Sequence, residues 1–295
     1  MYKMHGIIPA MVTPFNMDYS IDEKGSRELV RFLINGGVHC ILVGGSTGEY
    51  TLMSKKERKM IIRIAVEEAN EKVPIMAGTG YHSTEETIEL TRYAADVGAD
   101  SVLIITPHYL KPTNEGLITH YKKITEGADI PIVIYHWPEG TGVFLLPEIV
   151  GELSRVDGIV GIKNTAPQEH TNTLINMFQD RDDFAIVTGL ESLLLSTLAC
   201  GGSGGIGVVY NIIPRESVKL YKLMVGENNF EEAKKLHNKF MPLFNLIFRE
   251  PSPAPIKAAL SLMGLPAGPT RLPILSISDS LKEELKNMLK DLNII

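Results

Sequence analysis

Lys163 ends a short apolar segment, residues 158–163, and its ε-amine is the candidate nucleophile of this chain. The segment is rich in β-branched residues and is followed by Pro167, which is typical of a buried parallel strand leading into a helix. Burial at a strand end disfavours the charged amine, lowers its pKa and makes it nucleophilic. Many lysines at strand ends simply reach solvent. The other strand ends must decide between these two interpretations.

The elements that position this lysine alternate regularly between apolar and amphipathic segments. Eight strand–helix units of about 22–30 residues each predict an α/β fold, a closed (β/α)₈ barrel with a parallel sheet. No G-x-G-x-x-G follows the first strand, which disfavours an open dinucleotide-binding sheet. Three further helical segments close the sequence, so we predict a barrel domain over 1–226 and a C-terminal helical domain over 227–295. The predicted strands are 7–13, 40–44, 74–78, 101–106, 130–135, 158–163, 184–189 and 204–209.

Composition predicts a soluble cytoplasmic protein. The formal net charge of −6 argues against nucleic acid as a partner. No segment has the length and apolarity of a signal peptide or a membrane span. Cys40 and Cys200 are predicted to be reduced packing residues. The eight histidines show no metal-ligand spacing, so no metal is expected.

In such barrels the chemistry lies at the carboxyl ends of the strands, where the loops into the helices meet. We predict that Lys163 shares one mouth with residues at the ends of the second, fourth, fifth, sixth, seventh and eighth strands, most of them polar, aromatic or glycine. They are Ser46, Thr47, Tyr109, Tyr135, Thr165, Gly189, Glu191, Ile206 and Gly207.

These residue types fit one reaction class. A neutral lysine amine attacks a ketone to give an imine, and a tyrosine phenol such as that of Tyr135 can shuttle the protons. The loop G-G-S-T-G-E, residues 44–49, can hold a carboxylate with its N–H groups and hydroxyls. Taken singly, Tyr135 could be a strand-end aromatic, and Ser46 and Thr47 could be turn residues. Glu49 is predicted to be structural rather than an acid catalyst.

The order of motifs along the whole chain resembles one known family. G-S-T-G-E, T-P-x-Y, Y-x-x-P-x-x-T-G, G-I-K-x-T, T-G and G-G-I-G-x-x-Y-N occur in that order. This pattern is similar to that of the dihydrodipicolinate synthase / N-acetylneuraminate lyase family, pyruvate-dependent class I aldolases that are usually tetrameric (β/α)₈ barrels.

The resemblance implies a role for several residues. Lys163 would form the imine with pyruvate, and Tyr135 would shuttle protons. Ser46 and Thr47 would bind the pyruvate carboxylate. Tyr109 would reach a neighbouring site across a subunit interface of a homotetramer, a dimer of dimers. No cofactor other than the covalent imine, and no metal, would be required.

The second substrate depends on residues that depart from the family pattern. Gly140 stands where the synthases carry an arginine that binds the carboxylate of their aldehyde, and losing a bidentate partner weakens such binding. Glu191 retains one of two lyase carboxylates, whereas Ser192 replaces the other. We therefore expect a lyase or aldolase acting on a 2-keto-3-deoxy sugar acid, with Glu191 and Thr165 contacting the aldehyde half. The alternatives are a 4-hydroxy-tetrahydrodipicolinate synthase and a non-catalytic protein that binds 2-keto acids.

Overall fold

A computed structural model describes residues 3–295, which form a (β/α)₈ barrel followed by three helices. All the strand pairs in the barrel are parallel, in the order β1-β8-β7-β6-β5-β4-β3-β2. The bridge between Ala10 and Leu42 joins β1 to β2 and closes the ring. The predicted fold class is confirmed. The strands are β1 Gly6–Pro9, β2 Ile41–Val43, β3 Ile75–Gly78, β4 Ser101–Ile105, β5 Ile132–His136, β6 Ile159–Asn164, β7 Ala185–Thr188 and β8 Gly204–Gly207.

The helices begin and end where local signals in the sequence place them. Ser54 caps the second helix in a capping box: its hydroxyl accepts a hydrogen bond from the N–H of Glu57, and the Glu57 carboxylate accepts one from the N–H of Ser54. Ser83 caps the third helix through the N–H of Glu86. The barrel helices are α1 Glu23–Asn35, α2 Lys55–Ala69, α3 Thr84–Asp96, α4 Asn114–Gly127, α5 Pro138–Thr141, α6 Pro147–Leu153, α7 Gln168–Met177, α8 Leu194–Ala199 and α9 Pro214–Val225.

Three C-terminal helices follow: α10 Phe230–Leu246, α11 Ala254–Leu262 and α12 Asp279–Asp291. The domain boundary expected between residues 226 and 227 lies in the turn from α9 to α10. The short helix α5 was not predicted, because four residues are too few to show a helical period. None of the helices within residues 3–295 combines the length and apolarity that crossing a membrane requires.

The apolar residues form two layers, because successive side chains of a strand point to opposite faces of the sheet. The inner layer fills the barrel and includes Tyr135, Val187 and Ile206. The outer layer lies between the sheet and the helices. Cys40 belongs to the inner layer, as predicted. Cys200 is exposed, so its predicted packing role is wrong; it follows α8 at the surface, outside both layers.

Candidate active site

Lys163 and Tyr135 lie side by side on neighbouring strands and point into the barrel. They are register partners in the pairing of β5 with β6. The ε-amine of Lys163 lies 4.2 Å from the centre of the Tyr135 ring, and both residues are 7% exposed. The structure thus brings together the nucleophile and the proton shuttle that the sequence predicted.

Burial changes the acidity of both groups. It lowers the pKa of the Lys163 amine to about 8, and the carboxylate of Glu191 opposes part of this change. It also raises the pKa of the Tyr135 phenol, while the hydroxyls of Ser46 and Thr165 face that phenol and partly offset the rise. A substantial fraction of Lys163 is therefore neutral near pH 8, whereas Tyr135 keeps its proton and can donate it.

The two hydroxyls of the glycine-rich loop lie in one turn of 3₁₀-helix, Ser46–Gly48. Thr47 is buried and Ser46 is half-buried. The hydroxyl of Thr13 donates to the carbonyl of Gly48 at 2.8 Å and connects this turn to the segment after β1. Ser46 was predicted to bind a carboxylate; its proximity to the Tyr135 phenol gives it a second contact that the sequence did not indicate.

Two glycines provide space for the reactive side chains. A β-carbon at Gly189 would lie 3.0 Å from Cε of Lys163 and would collide with the hydroxyl of Thr165. A β-carbon at Gly207 would lie 2.5 Å from Oε1 of Glu191. Any side chain at either position would displace a residue of the site, which explains why both strand ends carry glycine.

Glu191 lies deeper in the protein than its predicted contact with a substrate implies. It is 1% exposed, and its Oε1 accepts hydrogen bonds from the backbone N–H groups of Val208 and Val209. Burial raises the pKa of this carboxyl group, and the N–H groups oppose that change. Its Oε2 has no hydrogen-bond partner among the described residues. One carboxylate oxygen is thus buried without a hydrogen-bond partner, and the carboxylate acts on Lys163 through its charge.

Trp137 occupies the space in which a side chain at position 140 would begin. Its indole is parallel to the Tyr135 ring, with an interplanar angle of 7° and centroids 6.2 Å apart. A β-carbon at Gly140 would lie 2.6 Å from Cδ2 of this indole. Position 140 carries no cationic side chain, and an aromatic face fills the place where one would start.

A chain of hydrogen bonds lies behind the two reactive residues, on the outer face of the same strands. The N–H of Leu145 donates to Nε2 of His136 at 3.1 Å, so Nδ1 carries the proton and donates to Oδ1 of Asn164 at 2.7 Å. The amide of Asn164 then donates to the hydroxyl of Thr171 at 2.8 Å. His136 directly follows Tyr135, and Asn164 follows Lys163. The network therefore fixes the register that aligns them.

Tyr109 does not join this cluster within the chain. It is 88% exposed and has a left-handed backbone, with φ 70°, while the adjacent Leu110 is 81% exposed. Ile206 lies at the opposite extreme, fully buried in the inner layer.

No group of three or more His, Cys, Asp or Glu residues within positions 3–295 is arranged to hold a metal ion.

Comparison with known proteins agrees with this fold. A model of the dihydrodipicolinate synthetase family matches residues 3–292. The chain belongs to this family. It is thus an enzyme of the class I lyase type, in which a lysine forms a Schiff base with pyruvate.

The similar proteins match along nearly their whole length. The 4-hydroxy-tetrahydrodipicolinate synthase of Methanospirillum hungatei is 39% identical over 287 residues, which covers 96% of this chain and 98% of that protein. The chloride-inhibited synthase of Acinetobacter baumannii, solved with pyruvate, is 37% identical with a TM-score of 0.95 and 99% of both chains covered. A monomeric variant of dihydrodipicolinate synthase is 36% identical, also with a TM-score of 0.95, and covers 99% of this chain and 97% of its own.

Proposed function

We propose that this protein makes or cleaves a carbon–carbon bond between pyruvate and an aldehyde through an imine on Lys163. The observation that carries the proposal is the pairing of a buried lysine of lowered pKa with a protonated tyrosine whose ring centre lies 4.2 Å from the lysine amine. The amine attacks the ketone, and Tyr135 supplies and removes protons as the carbinolamine loses water. Ser46 and Thr47 hold the carboxylate of pyruvate.

For the aldehyde, the site geometry favours a hydroxylated chain, as in a 2-keto-3-deoxy sugar acid. Gly140 has no cationic side chain that could bind a carboxylate on the aldehyde, and the indole of Trp137 occupies the space in which such a side chain would begin. Oε2 of Glu191 is buried without a hydrogen-bond partner among the described residues, and a substrate hydroxyl that reaches it would supply one, while Thr165 lies beside the Tyr135 phenol. The non-catalytic alternative is set aside by the family's lyase chemistry.

The second candidate is 4-hydroxy-tetrahydrodipicolinate synthase, and the names of the relatives support it better than they support a sugar-acid lyase. One structural observation also favours it. Nζ of Lys111 would lie 2.9 Å from a β-carbon at Gly142, two residues beyond Gly140. This exposed ammonium can serve as the cation for an aldehyde that carries a carboxylate.

Parallel assays distinguish the two candidates. One measures pyruvate release from sugar acids of different length and stereochemistry, and the other measures condensation of pyruvate with aspartate semialdehyde. Faster cleavage of a sugar acid supports the first candidate, whereas faster condensation supports the synthase and overturns the first. In a synthase, Lys111→Met raises the KM for the semialdehyde by roughly tenfold, since a charged hydrogen bond is lost. Lys122→Met, which removes an exposed lysine of α4, is the matched control.

We also propose that copies of this chain associate, up to the homotetramer that the resemblance implies. Tyr109 and Leu110 form an exposed apolar pair beside the mouth, and covering it with a second copy would bury both side chains. Sedimentation equilibrium tests this directly. A monomer at working concentration, as in the similar monomeric variant, would remove the role of Tyr109 at a neighbouring site.

The proposed chemistry needs no metal and no cofactor beyond the imine. The lysine amine and the tyrosine phenol supply electron withdrawal and proton transfer by themselves. Turnover is therefore expected to persist after dialysis against EDTA. Loss of turnover that returns with an added divalent cation would contradict this part of the proposal.

A further inference from the structure

The loop that carries Ser46 and Thr47 ends on Glu49, whose carboxylate is buried within the protein. Oε1 of Glu49 forms an ion pair with Nζ of Lys257 at 2.6 Å, and both side chains are at most 3% exposed. Oε2 accepts a hydrogen bond from the backbone N–H of Arg271 at 2.8 Å. Lys257 lies on α11 and Arg271 lies beyond it. A single carboxylate therefore joins the loop after β2 to the C-terminal helical segment.

The cations of the C-terminal segment also contact the segment after β1. The ammonium of Lys257 lies 4.3 Å from the centre of the Phe15 ring, and the guanidinium of Arg271 lies 4.2 Å from the same centre. Lys257 further donates to the carbonyl of Pro269 at 2.8 Å. These contacts hold the Lys257 side chain in one orientation. The remaining N–H groups of its ammonium then face the carboxylate of Glu49.

Arg271 holds the far end of the same loop. Its guanidinium donates to the carbonyl of Leu52 at 2.8 Å and to the carboxylate of Glu57. Glu57 forms the capping box of α2 with Ser54. The loop between β2 and α2 is therefore fixed at its middle by Lys257 and at its end by Arg271.

The backbone at Glu49 requires such support. Glu49 has φ 58° and ψ 35°, a left-handed conformation that is uncommon for residues other than glycine. Its N–H donates to the carbonyl of Ser46 at 3.0 Å and so ends the 3₁₀ turn that carries the two hydroxyls. A conformation of this kind persists only where the surrounding contacts enforce it. The Glu49 side chain supplies those contacts.

We propose that the buried ion pair between Glu49 and Lys257 positions the Ser46–Gly48 turn for the pyruvate carboxylate, so that Lys257 is a positioning residue for pyruvate. The inference rests on the proposed pyruvate chemistry. Lys257 acts through Glu49 rather than on the substrate, and Lys163 and Tyr135 lie on β6 and β5, outside this loop. Its loss therefore acts mainly on pyruvate affinity, and it reaches the chemical step only through the contact of Ser46 with the Tyr135 phenol.

The test measures pyruvate saturation in Lys257→Met, Glu49→Gln and the double variant Glu49→Gln/Lys257→Met. In Lys257→Met we expect the KM for pyruvate to rise roughly tenfold, the value of one charged hydrogen bond, and kcat to fall by a smaller factor than KM rises, because the turn binds the carboxylate and not the reacting ketone. The double variant leaves no unpaired charge buried and is the one expected to fold well. The pyruvate KM of the double variant should equal the higher of the two single-variant values, because both substitutions break the same contact.

Arg249→Met is the matched control, because it removes an exposed ion pair with Glu284 in the same C-terminal segment. Its pyruvate KM should equal that of the wild type. An unchanged KM in the folded double variant, a loss confined to kcat, or single-variant losses that multiply in the double variant would each overturn the inference. Failure of pyruvate and borohydride to label Lys163 in the wild type would instead overturn the proposed function, so the two failures are distinguishable.

Discussion

Lys163 and Tyr135 occupy the same register position on adjacent parallel strands, with the amine 4.2 Å from the centre of the phenol ring. Side chains at paired positions of neighbouring strands point to the same face, so both enter the barrel together. Behind them, His136 and Asn164 form the next register pair and point to the opposite face. The two reactive groups are therefore aligned by the sheet itself and by the hydrogen bond between His136 and Asn164, the residues that follow them in the chain.

The rate of imine formation should follow the ionisation of Lys163. Only the neutral amine attacks the ketone, and burial lowers the pKa of Lys163 to about 8. Borohydride trapping of pyruvate should therefore become faster as the pH rises toward 8 and level off above it. A midpoint near 10.5, the ordinary value for lysine, would show that the amine is not desolvated.

The local elements of this fold were predictable because their signals lie close together in the sequence. Ser54 and Ser83 each precede a helix, and the side chain of each accepts a hydrogen bond from the backbone N–H three residues later. Lys163 and Tyr135 were placed correctly because counting strands assigns every strand end to one mouth. Period-2 and period-3.6 patterns suffice for such assignments, since they depend only on neighbouring residues.

The contacts between distant segments were not predictable in the same way. Glu49 was expected to be structural, but nothing near it in the sequence indicates Lys257 as its partner. Only the structure shows the ring of Trp137 in the space beside Gly140. No periodic pattern encodes either contact, because each depends on how separate loops pack in three dimensions.

Enlarging the space beside Gly140 should change the aldehyde preference. Gly140→Arg alone collides with the Trp137 indole, whereas Trp137→Val/Gly140→Arg provides room for the guanidinium. We expect the double variant to improve kcat/KM for aspartate semialdehyde by roughly 10- to 100-fold over Trp137→Val, the value of a charged hydrogen bond. Steady-state condensation kinetics measure this. Equal values in the two variants would show that position 140 does not face the aldehyde.

The buried imidazole of His136 should make the protein less stable in acid. Burial lowers its pKa to about 4 from an ordinary 6.5, so the unfolded chain binds a proton that the folded chain excludes. Above pH 6.5 His136 is neutral in both states and does not reduce the free energy of unfolding. Below pH 6.5 the unfolded chain binds the proton, so the free energy of unfolding decreases as the pH falls toward 4. A shift of this size corresponds to about 3 kcal/mol.

Denaturant unfolding of the wild type and His136→Gln at pH 7 and pH 4.5 isolates this contribution. Other histidines, such as the half-buried His39 and the buried His120, have similarly lowered pKa values and affect both proteins equally. The wild type should therefore lose more free energy of unfolding between the two pH values than the variant. Parallel losses would show that burial does not hold His136 neutral.

The most direct test of the account is the site of pyruvate attachment. Incubation with pyruvate and borohydride, followed by peptide mass spectrometry, should place one pyruvate-derived group on Lys163, and Lys163→Met should carry none. Lys257 is an internal control, since burial also lowers its pKa to about 8 while Glu49 occupies its amine. The account predicts label on Lys163 alone; an unmodified Lys163, or label on Lys257 instead, would contradict it.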